Sequence, residues 1–367
     1  MMKNKIYAVG AAGVIALSLA ACGTSSGSGS GSSPASGSAA ADMPTVSIMI
    51  GGIDKQIYLP YQLAEQLGYY KKYGVNVELS TEQHGGVGAE DAMASGQVDM
   101  VGAWYVHTVD FQAKGKNVIN LVQLSGAPGE RVMCGPNSGV QSAADFKDKT
   151  IGVTDLGSGT DILTQFLASK AGLTKKDYHT LAVGAGSTAI AAIQRGTADC
   201  VMTTQPTVGA LESKNLAVPA IDLATSDGVT KALGGAWPAA GLLAQTDWVK
   251  SHEDAVQKVV NALVDTMHWI NSHSAAEIAD KLPTTFVQNS TISKDQYVSA
   301  LDQDKAQFLP DGIMPAGGPK VIFDMEKTIG VDTSKVKIPG TFTNKYADVA
   351  NKLEGYTITT TPAGADG

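Results

Sequence analysis

Arginine is nearly missing from this chain: Arg131 and Arg195 are the only two in 367 residues. With no basic run and a formal net charge of −8, the chain lacks the electrostatic footprint of a nucleic-acid binder. Cysteine is sparse too. Cys22, Cys134 and Cys200 form no CxxC pair and no cysteine–histidine cluster, so neither a metal site nor a cofactor is indicated. Long apolar runs are also lacking. The longest, residues 6–21, falls short of the roughly 20 residues that span a bilayer, and nothing later is longer or more apolar.

That first run has a meaning of its own. Lys3 and Lys5 precede it and small residues close it, the pattern of an export signal over residues 1–21. Leu19-Ala20-Ala21-Cys22-Gly23 resembles the lipobox of bacterial lipoproteins, which implies a lipidated Cys22 at the outer face of a bacterial membrane. Several acyl chains on one residue anchor firmly, whereas one is marginal. Residues 22–42 otherwise hold glycine, serine, alanine and little else, a flexible tether with nothing to seed a core. Without residues 1–21 the balance is 25 basic against 35 acidic residues, or −10.

From Thr45 the pattern alternates between short β-branched runs and longer helical periods, the signature of α/β units with parallel strands. Strands are predicted at residues 45–50, 75–79 and 98–101, with helices at 58–70 and 88–95. The rhythm restarts with strands at 132–134, 150–153, 181–183 and 199–203, a helical turn at 143–146 and helices at 161–171 and 188–195. A strand at 242–244 then leads into a helix over 254–272. Its apolar residues Val256, Val259, Val260, Leu263 and Met267 recur at helical spacing and are expected in the core.

Several blocks in order carry a family resemblance: YLPYQLAEQLGYYKKYGVNVEL (58–79), HGGVGAEDAMASGQVDMVGA (84–103), VMCGPNSGVQSAADFKDKTIGV (132–153), AIAAIQRGTADCVMTTQP (189–206) and the helical stretch 248–282. Together they resemble the nitrate, sulfonate and taurine group of ABC-transporter solute-binding proteins, which includes thiamine-pyrimidine binders. The resemblance implies the type II periplasmic-binding fold: α/β, two lobes each with a mixed five-stranded sheet, joined by two crossovers near Glu130–Arg131 and Gly234–Pro238. The first lobe would comprise 43–130 and 237–308, the second 131–236. Residues 309–367 would form an extension packed on the first lobe, its last residues disordered. The strands of Cys134 and Cys200 would then run side by side, leaving a disulfide or two buried thiols open.

Ligands in such sheets bind beyond the carboxyl ends of parallel strands, where helix N-termini present free N–H groups. Expected ligand contacts are Gly52, Gln56 and Tyr58 after the first strand; His84, Gly85 and Gly86; Trp104 and Tyr105; Gly157, Ser158, Gly159 and Thr160; and Gln205. Trp237, at the return crossover, would serve the hinge, the cleft or both. Arg131 is either an anion contact or part of a hinge ion pair. Many members carry Trp-Glu-Pro where this chain has Thr204-Gln205-Pro206, and loss of that carboxylate argues against a positively charged ligand group there.

The implied function is solute capture by hinge closure for an ABC permease and ATPase, by a monomer without enzymatic activity. A small anion is the favoured ligand, of the nitrate, sulfonate, taurine or aromatic carboxylate class. The alternatives are a neutral heterocycle such as a pyrimidine, or an enzyme on the same fold of the pyrimidine-synthase or menaquinone-pathway kind.

Overall fold

The computed structural model describes residues 43–82 and 86–364. Cys22, His84, Gly85 and the last three residues lie outside them. The first sheet has the order β2-β1-β3-β10-β4, built from Thr45–Ile50 (β1), Asn76–Thr81 (β2), Met100–Trp104 (β3), Val118–Gln123 (β4) and Ala240–Gln245 (β10). The second repeats the plan as β7-β6-β8-β5-β9, from Glu130–Cys134 (β5), Thr150–Val153 (β6), His179–Ala182 (β7), Cys200–Thr204 (β8) and Val218–Leu223 (β9). In each sheet the fourth strand is antiparallel to both neighbours and arrives from the other half of the chain. This exchange makes the two crossovers, residues 124–129 and 234–239. The first lies just ahead of Glu130 because Glu130 and Arg131 are already paired with Thr204 and Thr203.

Helices cover the sheets as parallel connections require. They run Leu59–Gln66 (α1), Tyr69–Lys72 (α2), Val87–Ala94 (α3), Val106–Ala113 (α4), Gly159–Lys170 (α5), Ser187–Gln194 (α6), Thr207–Ser213 (α7) and Ser226–Leu233 (α8). The single helix expected over 58–70 is broken between α1 and α2. Gly68 sits there at φ 74°, a left-handed conformation that ends a helix and that glycine adopts without strain.

The C-terminal third adds Thr246–Ser251 (α9), Glu253–Ser272 (α10), Ala275–Lys281 (α11), Thr284–Val287 (α12), Lys294–Asp304 (α13), Gly318–Thr328 (α14) and Lys345–Glu354 (α15). Val256, Val259, Val260, Leu263 and Met267 of α10 are all fully buried, as their spacing predicts. This helix packs on α1, α2 and α15. The extension was expected on the first lobe alone, yet α14 lies against both α4 and α5, and α13 ahead of it also reaches α7. The tail therefore touches both lobes, because α14 presents Ile322 and Met325 as apolar residues that need cover.

Cys134 and Cys200 face each other directly across the β5/β8 ladder, with Cα atoms 4.0 Å apart, and are joined by a disulfide. Of the two alternatives left by the sequence, the structure has the bonded form.

Candidate functional site

The carboxyl ends of β1, β3, β6 and β8 all open toward the seam between the lobes, so the turns that follow them meet there. Trp104, the last residue of β3, lays its indole against Gly159, the first residue of α5. A Cβ on that glycine would fall 2.2 Å from the ring, so only glycine permits this approach. The Gln56 N–H donates to the Gln205 carbonyl at 3.0 Å, a second bridge between lobes. Trp237 meets Trp104 edge-on, ring centroids 5.1 Å apart, and joins the same wall.

The remaining expected residues divide into two groups. Tyr58 and Gln56 are buried at the seam; Gln56 Nε2 donates to the Tyr297 carbonyl at 3.0 Å, and its Oε1 has no partner. Gly52 turns at φ 97° beneath the Lys55 stem, and the Gly86 N–H donates to Glu82 at 2.6 Å. The second-lobe loop is occupied with itself. Ser158 caps α5 by accepting from the Asp161 N–H, the Thr160 hydroxyl lies 2.9 Å from that of Ser158 and accepts from the Thr154 N–H, and Asp161 accepts from Gly157. Gln205 Oε1 similarly accepts from the Gly209 N–H.

One expectation needs correction, and one open alternative is decided. Tyr105 does not face the seam: it is fully buried within the first lobe, its ring against Phe342 and its hydroxyl 2.5 Å from that of Thr341. Trp104 ends the strand and the chain turns into α4 immediately after it, which sends the two neighbouring aromatics to different places. Arg131 is not available to an anion, since its guanidinium grips Asp304 at 2.8 and 2.9 Å and lies 3.3 Å from Asp222.

The charge at the seam comes from residues the sequence did not single out. Glu90, in the first turn of α3, and Glu130, the first residue of β5, are 6% and 3% exposed. Glu90 Oε1 and Glu130 Oε2 have no hydrogen-bond partner. Burial pushes each carboxyl up to about 8, although His107 opposes this at Glu90 and Lys55 and Arg131 oppose it at Glu130. The Tyr58 phenol is raised first by burial and then by Glu90, Glu130 and Glu82, which puts it among carboxylates from both lobes. Half-buried Lys55 donates to the Gly51 carbonyl at 2.8 Å; burial lowers its pKa against the pull of Glu130, Asp54 and Glu82.

A pocket of about 260 Å³ at the edge of the seam is lined by Asp54 and Lys55 from the first lobe, by Gly186, Pro206 and Thr207 from the second, and by residues 289–292. A larger groove, about 540 Å³, is lined by the second lobe alone, including Ala143, Leu167 and Ile221, so a movement of the lobes would not enclose it.

A family model described as NMT1/THI5 like matches residues 57–276. The chain belongs to that family. A solved structure from Bordetella bronchiseptica RB50 is 29% identical with a TM-score of 0.80, over 86% of this chain and 99% of that one. The ligand-binding component of an ABC-type import system from Staphylococcus aureus shares the fold at a TM-score of 0.66 and 15% identity, over 84% of this chain and 99% of that one. Among curated relatives, the 4-amino-5-hydroxymethyl-2-methylpyrimidine phosphate synthase of Schizosaccharomyces pombe is 30% identical over 127 residues, 35% of this chain and 36% of that one. The chain thus spans about a third of that relative. Among the described residues no helix is long and apolar enough to cross a membrane.

Proposed function

We propose that this protein captures a small polar solute by closing its two lobes, as the exported binding component of an ABC importer, held to the membrane through a lipidated Cys22. The observation that carries the reading is the seam itself: strand-to-helix turns from two sheets of the same plan meet face to face, with Trp104 on Gly159 and Gln56 bonded to Gln205. Contacts made by a solute to both lobes favour the closed arrangement over an open one, and a permease that recognises the closed shape needs no chemistry from the binder. The fold shared with an import-system component and the export signal support the same reading. An enzymatic reading has less behind it: the synthase likeness covers only a third of that enzyme, and Cys134 and Cys200 are bonded to each other.

Small-angle scattering of the purified protein, with and without a panel of small solutes, tests this directly. At least one solute should reduce the radius of gyration and raise the melting temperature. Gly159→Ala should hold the lobes apart and suppress both effects, because its Cβ would collide with the Trp104 ring. The double variant Gly159→Ala/Trp104→Ala should close again. Normal closure by the single variant would reject the seam as the closing surface.

A further inference from the structure

The two crossovers are where a hinge has to bend, because a few connecting residues absorb the change in φ and ψ when lobes move. Residues 304–321 cover both. Along the first crossover the Gly126 N–H donates to the Gln307 carbonyl and the Leu309 N–H to the Leu124 carbonyl, each at 3.0 Å, and the Gln123 N–H donates to the Gly312 carbonyl at 2.9 Å. Ser125 and Phe308 pair as an antiparallel bridge within this short ladder. The Gln307 side chain fills the place of a Cβ on Gly129, and Leu309 lies 3.2 Å from that place on Gly126. Along the second crossover, Val321 of α14 stands 3.4 Å from the Cβ position of Gly235. Gly318 meets the Pro238 ring so closely that its own Cβ would fall 2.7 Å from the proline Cδ. The Ala239 N–H donates to the Ser125 carbonyl at 3.2 Å and ties the crossovers to each other.

The covering segment is fixed on both sides of the joint. Lys305 Nζ donates to the His273 carbonyl just past α10, at 2.6 Å, and α10 packs on the helices of the first lobe. Asp304 grips Arg131 of β5, in the second lobe. Further along, α14 lies against α4 of the first lobe and α5 of the second. A piece bonded to both arms and to the residues between them acts as a splint. Bending at residues 124–126 would break the main-chain bonds of the ladder, and the glycines that would give the bend its freedom are covered.

We infer that residues 304–321 splint the hinge and hold the lobes at the setting in which Trp104 meets Gly159, so that the balance between closed and open forms is set from outside the seam. The consequence for binding rests on the solute-capture reading. Apparent affinity scales with the fraction of the closed form, so a loosened splint weakens solute binding although every seam residue is intact.

The test needs no solute. Small-angle scattering should give a larger radius of gyration for Gly318→Ala, whose Cβ wedges α14 off Pro238, and the double variant Gly318→Ala/Pro238→Ala should return toward the wild-type value. Gln307→Ala uncovers Gly129 and should enlarge the radius as well. Its Gly126 and Leu309 amides should exchange with deuterium faster by about fivefold or more, the scale of one backbone hydrogen bond. In the wild type the same two amides should be as protected as those of β4, and exchange at the rate of an exposed loop would overturn the inference without any variant. Melting curves report whether each variant has folded. A packing role alone would lower the melting temperature and leave the radius unchanged, and that result in the folded variants would also overturn it. Enlarged variants together with a wild type that no solute compacts would leave the splint standing and remove solute capture. Compaction by a solute from one starting radius in wild type and variants alike would leave capture standing and remove the splint.

Discussion

Arg131→Ala should lower the unfolding free energy by about 3–5 kcal/mol, the usual cost of stripping one partner from a buried ion pair. The arginine side chain is 8% exposed and that of Asp304 not at all, and the two are joined by two bonds of 2.8 and 2.9 Å. Burial already holds the Asp304 carboxyl above its usual range, against the pull of Arg131; without the guanidinium nothing opposes burial there except protonation. The effect belongs to the broken pair rather than to any large net benefit from the intact one. Arg131→Met/Asp304→Leu should therefore recover much of the loss, because an apolar pair of similar volume avoids desolvating two charges. Urea unfolding of the wild type, Arg131→Ala, Asp304→Asn and the double variant gives the comparison, and a loss below about 1 kcal/mol in Arg131→Ala would place the pair among inconsequential surface bridges. Since β5 belongs to the second lobe and α13 packs on α11 as well as α7, the single variant should also loosen the grip of the C-terminal region on that lobe.

The position of Arg131 also shows what local sequence could and could not reveal. Strands announce themselves: β1 and β6 fall at residues 45–50 and 150–153 as predicted, because β-branched alternation is a property of neighbouring residues. The break at Gly68 was hidden, since the aromatic and lysine residues beyond it keep a helical spacing although φ has changed sign. The order of the blocks revealed the two-lobed plan, and the seam turns follow from that plan. Which side chains meet at the seam does not follow. Glu90 and Glu130 stand 40 positions apart, one on helix α3 and the other on strand β5, and nothing in either neighbourhood signals that both are buried with an oxygen left over. Trp104 and Tyr105 were equivalent as adjacent aromatics; only the packing of Tyr105 on Phe342, far along the chain, separates them. Arg131 was open between an anion contact and an ion pair, and only Asp304, 173 residues later, decides for the pair.

Unliganded protein should be most stable near pH 5 and should lose stability steadily toward pH 8, opposite to a protein stabilised by paired carboxylates. Glu90 and Glu130 rise from 4.5 to about 8 on folding, and burial also raises Glu326 of α14, fully buried beside Asp110. A carboxyl raised by folding binds its proton more tightly in the native state, so between the unfolded and folded values stability falls as pH rises, by up to ~1.4 kcal/mol per pH unit for each group. The groups that face them do not reverse the sign. Burial works against a charged His107, but Glu90 and then Asp110 outweigh it and raise its pKa, so its contribution too is present at low pH and lost as pH rises. Lys55, Arg131 and Asp304 around Glu130, Asp110, Glu82 and Asp91 around Glu90, and Lys114 and Asp110 around Glu326 are already reflected in these directions. On the acid side, hydrogen bonds from nearby backbone and hydroxyl groups lower Asp145, Asp177, Glu277 and Asp332, so their stabilisation disappears as pH falls through their folded values. Melting temperatures measured from pH 4 to pH 9 should thus peak near pH 5, and Glu326→Gln should flatten the fall on the alkaline side. A profile that is level or climbing between pH 5 and pH 8 would mean that these carboxyls ionise freely in the native state. Glu90 and Glu130 would then be solvated rather than buried at the seam.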